Sequence, residues 1–370
     1  MPFLLLTLIS RLLTAALLLL TRLSPPFDAA TSHLLLRWDA LHFIHIARNG
    51  YVFEHEWAWF PALPFLLSLF PDSLLSPTVL SLAIAYDTTL TMYHLSLHHL
   101  GSPALAKLAA ILSLLPSSPV TLFLAPYNEP FFTYLSYKGM LYCAKSSYFT
   151  ASIAFTLAAA FRSNGFLLSG FIIWGLLIQP FLQHRPIYLS TMITCVAFSA
   201  LPLTPFIAHN YAAYLAFCTR ADPSPEWCSG ALPLIYFHVQ DRYWNVGFLR
   251  YWTPQQLPNF LLAAPPLLAL SAFSTHHLRH WLKNPAAPGR AFLSASIAPH
   301  AIHALIMCGT LLFASHTQIV LRFAAAMPLT YWAAAWLLVE APTWGRAWVT
   351  WSILWGALSV LLWGAFLPPA

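Results

Sequence analysis

Long apolar runs alternate with short polar connections along the whole chain. The first run covers residues 3–23, and ten more follow, at about 74–100, 104–125, 130–144, 148–161, 166–181, 187–208, 257–274, 291–314, 320–339 and 348–367. A transmembrane helix takes about 20 apolar residues, and these leucine-rich runs lack the strict alternation of barrel strands. The pattern predicts an all-α polytopic membrane protein, one integral membrane domain over residues 1–370 with about 11 transmembrane helices.

The composition excludes a soluble enzyme and a disordered chain. Of 370 residues, only 17 are Lys or Arg and 11 are Asp or Glu, while 59% are apolar. Soluble domains carry roughly 25% charged residues. The 15 Trp, 15 Tyr and 27 Phe represent too much apolar area to leave in water. The net charge of +6 comes from basic residues scattered singly, so no nucleic-acid partner is expected.

The positions of the charged residues predict an orientation. Basic residues in short connections near Lys107, Lys145, Arg185, Arg279 and Arg346 mark the cytosolic side. Two larger segments, residues 24–60 and 209–256, then lie on the opposite, luminal side, although they also contain several arginines. Eight of the 11 acidic residues fall on that side: Asp28, Asp39, Glu54, Glu56, Glu129, Asp222, Glu226 and Asp241.

Two cysteines, Cys218 and Cys228, lie ten residues apart in the second luminal segment. In an oxidising compartment they could form a disulfide. Two free thiols in a loop are an equally good interpretation of the sequence.

The densest polar cluster runs from Arg37 to Pro61. Asp39, His42 and Arg48 recur at helical spacing, which predicts an amphipathic helix along the membrane surface, with Trp38 in the headgroup layer. Such a helix holds a carboxylate at the water–lipid boundary, where an enzyme that acts on a lipid-linked sugar needs its base. The alternative is an interfacial ion pair of Asp39 with Arg37 or Arg48.

Two shorter clusters follow. In Tyr127-Asn128-Glu129-Pro130, the carboxylate either caps the next helix, with Pro in its first turn, or lines a cavity. In Arg162-Ser163-Asn164-Gly165, a guanidinium in an apolar hairpin needs an anionic partner. A phosphate would serve because Arg offers paired donors matched to it, and so would Glu129 or Asp39.

The longest cluster covers residues 239–260 and mixes aromatic rings with amides and Arg. These side chains suit sugar faces and phosphate oxygens, or else form an interfacial aromatic anchor. Arg322, at the start of the tenth run, brings one more guanidinium to the same side. The candidate substrate-binding residues of this part of the chain are Gln240, Tyr243, Trp244, Asn245, Arg250, Tyr251, Trp252 and Arg322.

These motifs resemble, in order along most of the chain, those of the GPI mannosyltransferase 2 family of the PIG-V type, within the GT-C glycosyltransferase superfamily. The resemblance rests on residues 37–55, on Tyr127-Asn128-Glu129, Lys138-Gly139-Met140 and Arg162-Ser163-Asn164-Gly165, and above all on residues 243–252. The chain departs from the family pattern at Asn128, Pro130 and Trp59-Phe60-Pro61, and its loops are compact.

The resemblance implies α-1,6 transfer of mannose from dolichyl-phosphate mannose to a mannosyl-glucosaminyl-phosphatidylinositol acceptor, on the luminal face of the endoplasmic reticulum. The donor is β-linked and the product α-linked, so the reaction inverts and needs one general base, for which we predict Asp39. The leaving phosphate needs charge neutralisation, for which Arg162, Arg250 and Arg322 are candidates. Predicted substrate contacts also include Arg37, Trp38, His42, Tyr127, Glu129 and Asn164.

No metal or other cofactor is expected, because no His/Asp cluster has metal-ligand spacing. The requirement for a small accessory membrane subunit is left open. Rival interpretations are a related GT-C enzyme that uses the same donor on another acceptor, a lipid transporter or scramblase, and a non-catalytic assembly subunit.

Overall fold

The computed structural model describes residues 2–23, 26–27, 33–70, 76–219, 224–283 and 291–369. Asp28 and Asp222 lie outside the described residues. Every regular element in these ranges is helical, so the predicted all-α class is confirmed.

In the first half of the chain, ten α-helices lie within the described ranges. They are α1 (Pro2–Leu20), α2 (Asp39–Asn49), α3 (Ala62–Ser68), α4 (Ser76–Leu100), α5 (Pro103–Leu112), α6 (Pro119–Phe123), α7 (Glu129–Ala144), α8 (Tyr148–Phe161), α9 (Ser169–Ile173) and α10 (Gln179–Leu182).

The described part of the second half contains eight more. They are α11 (Leu189–Ala200), α12 (Thr204–Phe217), α13 (Ile235–Trp244), α14 (Leu257–Lys283), α15 (Ala298–Phe313), α16 (Val320–Phe323), α17 (Pro328–Glu340) and α18 (Pro342–Gly364).

Six helical stretches within the described residues are long and apolar enough to cross a membrane, and a bent pair makes up to seven. The six are Phe3–Leu23, Ser163–Leu182, Leu189–Phe217, Pro254–Lys283, Ala295–Phe313 and Pro342–Gly364. The Leu189–Phe217 stretch continues nine residues beyond the predicted end at 208. The protein is therefore a multispanning helical membrane protein.

Two predicted spans are broken in the structure. The run at 104–125 divides into α5 and α6, with Pro116 between them. The run at 320–339 bends by 88° between Thr317–Ala326 and Pro328–Glu340. Irregular backbone at membrane depth must be buried in protein and satisfied there. Three hydroxyl groups donate to carbonyl groups at the second break: Ser117 to Leu321, Tyr137 to Ala325 and Thr330 to Ala324.

Small residues allow the helices of the core to approach closely. The Ala151 and Ala158 side chains of α8 are fully buried, and a Cβ atom at Gly139 of α7 would lie 2.2 Å from the Phe155 ring. Such close backbone contact is how helices pack in a lipid environment. The α7–α8 hairpin therefore forms a rigid support for the turns at its ends, which carry Glu129 and Arg162.

Cys218 and Cys228 form a disulfide, with their Cα atoms 5.5 Å apart. Of the two interpretations of these cysteines, the disulfide is the one the structure shows. The bridge joins the end of α12 to the short helical turn Glu226–Ser229.

Candidate active site

Asp39 is the first residue of α2. Ala40, Phe43 and Ile46 are the buried residues of this helix, and Asp39 and His42 are half-buried. The preceding residue, Trp38, has a φ of 53°, a backbone conformation that a bulky residue adopts only under constraint. Its ring packs against Phe366 at 5.3 Å. The C-terminal segment therefore helps to fix the start of the helix that carries Asp39.

Arg322 lies on α16, within the bent segment, and contacts Asp39 directly. Its Nη1 atom donates to Asp39 Oδ2 over 2.7 Å, across 283 residues of sequence. Its side chain is 16% exposed and that of Asp39 is 31% exposed. Neither Arg37 nor Arg48 is the ion-pair partner of Asp39 in the structure.

A second ion pair lies beside the first. Arg162 Nη1 donates to Glu129 Oε1 over 2.8 Å, and Arg322 Nε is 3.9 Å from the same oxygen. Glu129 is the first residue of α7, and Arg162 directly follows α8 in extended conformation. A Cβ atom at Gly165 would lie 2.4 Å from the Ala159 backbone, so the turn after Arg162 packs against α8 and sets the guanidinium direction. We call Asp39, Glu129, Arg162 and Arg322 the charged cluster.

Tyr127 joins the charged cluster to the backbone at the start of α2. Its hydroxyl accepts from the Asp39 N–H over 3.1 Å and donates to the Arg37 carbonyl over 3.2 Å. Burial, reinforced by the Asp39 carboxylate, raises the pKa of the Tyr127 hydroxyl. Tyr127 therefore stays protonated and holds the first turn of α2.

The charged cluster and the two asparagines adjacent to it in sequence contain buried polar atoms without hydrogen-bond partners among the described residues. They are Asn128 Oδ1, Glu129 Oε2, Asn164 Nδ2 and Arg322 Nε. Buried polar groups are normally satisfied, and several orphans in one place are typical of a site that binds a polar ligand. Asn164 Oδ1 also accepts from Arg162 Nε over 3.4 Å.

Aromatic rings extend from Asp39 toward residues 243–252. His42, one turn after Asp39, stacks on Trp59 with ring centroids 4.0 Å apart. Trp59 meets the Trp244 ring edge-on at 5.4 Å. Burial lowers the pKa of His42, although the Asp39 carboxylate opposes the shift, so the ring is neutral at pH 7.

A polar pocket of about 360 Å³ lies beyond Trp244. Tyr251 donates to Gln318 Oε1 over 2.7 Å, and Asn259 Nδ2 donates to the Tyr251 hydroxyl over 2.8 Å and to Gln256 Oε1 over 2.7 Å. The pocket, hereafter the polar pocket, is lined by these four residues and by Trp244, Asn245, Arg250, Thr253 and His316.

Two lining residues also fix the backbone around the polar pocket. His316 Nε2 bonds to the Trp244 carbonyl at 2.8 Å, and its ring stacks on Tyr251 at 4.7 Å. Asn245 has a φ of 51° and ends α13 in the left-handed conformation, which Asn tolerates better than most residues. Arg250 forms an ion pair with Asp241.

Other residues predicted for the site lie apart from these two groups. Tyr243 donates to Glu54 Oε2 over 3.3 Å. Trp252 donates to the Leu312 carbonyl over 2.7 Å and stacks on Phe313. Arg37 is buried and donates to backbone carbonyls of His33 and Leu36. Gln240 is half-buried on α13.

The structure adds site residues that sequence reasoning did not select. Trp59, Gln256, Asn259, His316 and Gln318 line the aromatic bridge or the polar pocket. A signal was present for each of them. Trp59 lies in the polar cluster from Arg37 to Pro61, and Gln256 and Asn259 lie in the cluster at 239–260. His316 and Gln318 are polar residues just before the apolar run that carries Arg322.

Within the part of the chain that the structure describes, no group of three or more His, Cys, Asp or Glu side chains could hold a metal ion. The described site therefore offers guanidinium, carboxylate, amide and aromatic groups.

A multispanning helical protein with buried paired carboxylates and guanidiniums beside a polar pocket has the layout of a membrane-embedded group-transfer enzyme. Its fold is similar to that of the oligosaccharyltransferase from Archaeoglobus fulgidus, with a TM-score of 0.56, 11% identity, and coverage of 100% of this chain and 56% of that chain. The chain thus spans about half the length of that structure. At this identity the likeness shows the fold alone.

The model of the mannosyltransferase (PIG-V) family matches residues 4–370, and the chain belongs to this family. It is 31% identical to GPI mannosyltransferase 2 of Cryptococcus neoformans, over 95% of this chain and 94% of that protein. It is 32% identical to GPI alpha-1,6-mannosyltransferase 2 of Mus musculus, over 83% of this chain and 73% of that protein. The chain is therefore a mannosyltransferase by family, and the predicted family is confirmed.

Proposed function

We propose that the protein transfers the second mannose, in α-1,6 linkage, to the mannosyl-glucosaminyl-phosphatidylinositol intermediate of GPI-anchor biosynthesis. The donor is dolichyl-phosphate mannose, and the enzyme acts in the endoplasmic reticulum membrane. Family membership and the names of the relatives support the acceptor class and the linkage. The resemblance of the motifs to this family supports the donor and the compartment.

The mechanism rests on the contact between Asp39 and Arg322. This contact lies in a largely buried polar cluster in which several atoms have no hydrogen-bond partner among the described residues. Asp39 is the general base and takes the proton from the acceptor hydroxyl. The hydroxyl oxygen forms a bond to the anomeric carbon as the bond from that carbon to the phosphate oxygen breaks. A single in-line displacement inverts the configuration, from the β-linked donor to the α-linked product, and needs no metal.

Arg162 and Arg322 neutralise the phosphate. Each guanidinium has five N–H donors, and their contacts with Glu129 and Asp39 use only part of this capacity. Arg250 pairs with Asp241 at the polar pocket, so we assign it no phosphate contact. The donor phosphate competes with Asp39 for Arg322, which releases the carboxylate as a base once the donor is bound.

The positions of basic residues in short connections support a luminal active site. Several helices are shorter than a bilayer. For example, the 16 residues of α7 extend roughly 24 Å at 1.5 Å per residue. We therefore keep the count of about 11 spans as a proposal in which short and broken helices complete the bundle. To test this topology, single cysteines are introduced at Lys107 and at Glu226 and exposed to a membrane-impermeant reagent in sealed microsomes. The topology of about 11 spans places these two positions on opposite sides of the membrane, so labelling of both from one side would contradict it.

The test of the enzyme mechanism is the Asp39→Asn variant. The amide keeps the size of the side chain and removes its basicity. In membranes that lack the endogenous enzyme, we expect transfer from labelled dolichyl-phosphate mannose to the acceptor to fall by about 100-fold or more, since general-base catalysis contributes this much.

The matched control is Glu226→Gln, the same chemical change at an exposed residue of the same predicted face. It should transfer mannose at the wild-type rate. Full transfer by a folded Asp39→Asn protein would remove Asp39 from the base role. Absence of transfer by the wild-type enzyme, with both substrates supplied, would overturn the function itself.

A further inference from the structure

The polar pocket presents hydrogen-bonding atoms that the protein itself leaves unused. Among the described residues, Gln256 Nε2, Gln318 Nε2 and Asn259 Oδ1 have no protein partner, since the internal bonds use Gln256 Oε1, Gln318 Oε1 and Asn259 Nδ2. The Thr253 hydroxyl adds a group that can donate and accept. Amide donors and acceptors at fixed positions are complementary to hydroxyl groups, which also donate and accept.

The polar pocket carries little net charge. Its guanidinium, that of Arg250, is paired with Asp241, and its other hydrogen-bonding side chains are amides, hydroxyl groups and a neutral imidazole. Burial lowers the pKa of His316, which keeps this imidazole uncharged at pH 7. A phosphate would bind more strongly to the two guanidiniums of the charged cluster. An uncharged polyol needs no counterion, so it can bind in the polar pocket without a loss of electrostatic stabilisation.

Two independent connections place the polar pocket next to Asp39. Gln318 and Arg322 lie four residues apart on one short helical segment, one turn from each other, and Arg322 contacts Asp39. On the other side, the pocket residue Trp244 meets Trp59, which stacks on His42 of α2. The polar pocket is therefore one helical turn from the arginine that contacts Asp39 and two ring contacts from α2, the helix that carries Asp39.

The volume of about 360 Å³ lies within the range of roughly 300–1,000 Å³ for small-molecule sites. Trp244 and Tyr251 supply ring faces at its wall, and aromatic rings with adjacent amides suit the apolar faces and hydroxyl edges of sugars.

We propose that the polar pocket is the subsite for the terminal mannose of the acceptor, an uncharged ring with several hydroxyl groups, and holds it so that the accepting hydroxyl reaches Asp39. Gln256, Asn259 and Gln318 are the specificity-determining residues. The inference rests on the proposed function, because it names where that function holds its acceptor.

The test compares Gln256→Leu with Gln255→Leu in the full-length enzyme. The two glutamines are adjacent, and Gln256 lines the pocket whereas Gln255 is exposed and does not. For Gln256→Leu we expect the KM for the acceptor to rise about ten-fold, while the KM for dolichyl-phosphate mannose stays at the wild-type value. Gln255→Leu should leave both constants unchanged.

Binding without turnover supplies a second readout. Mannosyl-glucosaminyl-phosphatidylinositol in detergent micelles should raise the unfolding midpoint of the wild-type protein and of Gln255→Leu, and should raise that of Gln256→Leu much less. Dolichyl-phosphate mannose should stabilise all three proteins equally.

The outcomes separate the two proposals. If the wild-type enzyme transfers mannose and Gln256→Leu keeps its acceptor KM, the pocket assignment is wrong and the function stands. A rise confined to the donor KM would also overturn the assignment. If the wild-type protein transfers no mannose, the proposed function fails, and the acceptor-induced change in unfolding midpoint then decides whether the pocket binds the sugar.

Discussion

The charged cluster and the polar pocket lie side by side but are built on opposite principles. In the charged cluster, two carboxylates and two guanidiniums are largely buried, and Glu129 is only 4% exposed. In the polar pocket, amides, a hydroxyl and aromatic rings surround an open cavity. Buried charge is expensive unless it is paired, so the cluster must hold its own counterions until a charged substrate replaces them. The pocket needs no such exchange, because its ligand is uncharged.

This difference assigns the two halves of the reaction to different regions. In the proposed mechanism, the charged cluster stabilises the phosphate and holds the base, and the polar pocket orients the hydroxyl. The helical segment 317–326 joins them because it contributes Gln318 to one and Arg322 to the other.

The largest effect should come from Arg322→Ala. The substitution removes the group that neutralises the leaving phosphate, and we expect transfer to fall about 100- to 1,000-fold, as for the loss of one group that stabilises transition-state charge. Arg322→Lys should recover only part of the rate, because Lys keeps the charge without the paired donor geometry. Steady-state rates measured at varied donor concentration check both variants.

A double-variant cycle with Asp39→Asn sharpens this result. Residues that act on one another lose activity non-additively, so Asp39→Asn/Arg322→Ala should be little slower than the slower single variant. Losses that multiply would show that Arg322 acts independently of Asp39.

Glu129→Gln should act mainly on stability. It leaves the buried Arg162 guanidinium without its carboxylate, and removal of one partner from a buried pair costs about 3 kcal/mol or more. We expect a decrease of several degrees in the unfolding midpoint, measured in detergent by intrinsic fluorescence. Glu226→Gln is the matched control, and an equal midpoint for the two variants would show that the Glu129–Arg162 pair contributes no stability.

Tyr251→Phe tests the polar pocket with a smaller change. It removes only the hydroxyl between Asn259 and Gln318 and retains the ring that stacks on His316. We expect the acceptor KM to rise about three-fold, in line with roughly 0.5–1.5 kcal/mol for a hydrogen bond, with the donor KM unchanged. A decrease in kcat alone, at constant acceptor KM, would place the hydroxyl outside acceptor binding.

The smallest effect concerns His42. Its pKa is lowered in the folded protein, so the unfolded chain, with an ordinary pKa near 6.5, binds the proton first. His42 therefore reduces stability as the pH falls below about 6.5 and has no effect above that value. His42→Phe keeps a ring on Trp59, and its unfolding midpoint should fall less than that of the wild type between pH 7.5 and 5.5. An equal decrease in the unfolding midpoints of the two proteins over this pH range would contradict the predicted effect of His42 on stability.

Much of the site could be predicted from local motifs. Asp39, Tyr127, Glu129, Arg162 and Arg322 were each selected from polar residues within an apolar chain, and the structure brings all five together. Polar residues are costly in this setting, so few remain without a function, and the motif positions carry strong information.

The pairing of these residues could not be predicted. From the sequence, the predicted partner of Arg162 is a phosphate, Glu129 or Asp39. The predicted ion-pair partner of Asp39 is Arg37 or Arg48. The structure pairs Arg162 with Glu129 and Asp39 with Arg322, because the bend before Pro328 turns α16 toward α2. The hydroxyl groups of Ser117, Tyr137 and Thr330 stabilise this bend. Two of these residues are distant in sequence, so the only local sequence signal for the bend is the proline.

The sequence by itself determined the membrane class, the helical fold, the family and the candidate base, because each depends on composition or on motifs read along the chain. Only the tertiary structure decided which guanidinium contacts which carboxylate, that Cys218 and Cys228 are joined, and that Gln256, Asn259, His316 and Gln318 enclose one pocket with Tyr251. The physical reason is distance in sequence. Asp39 and Arg322 are 283 residues apart, and only the packing and bending of the helices between them determine that they meet.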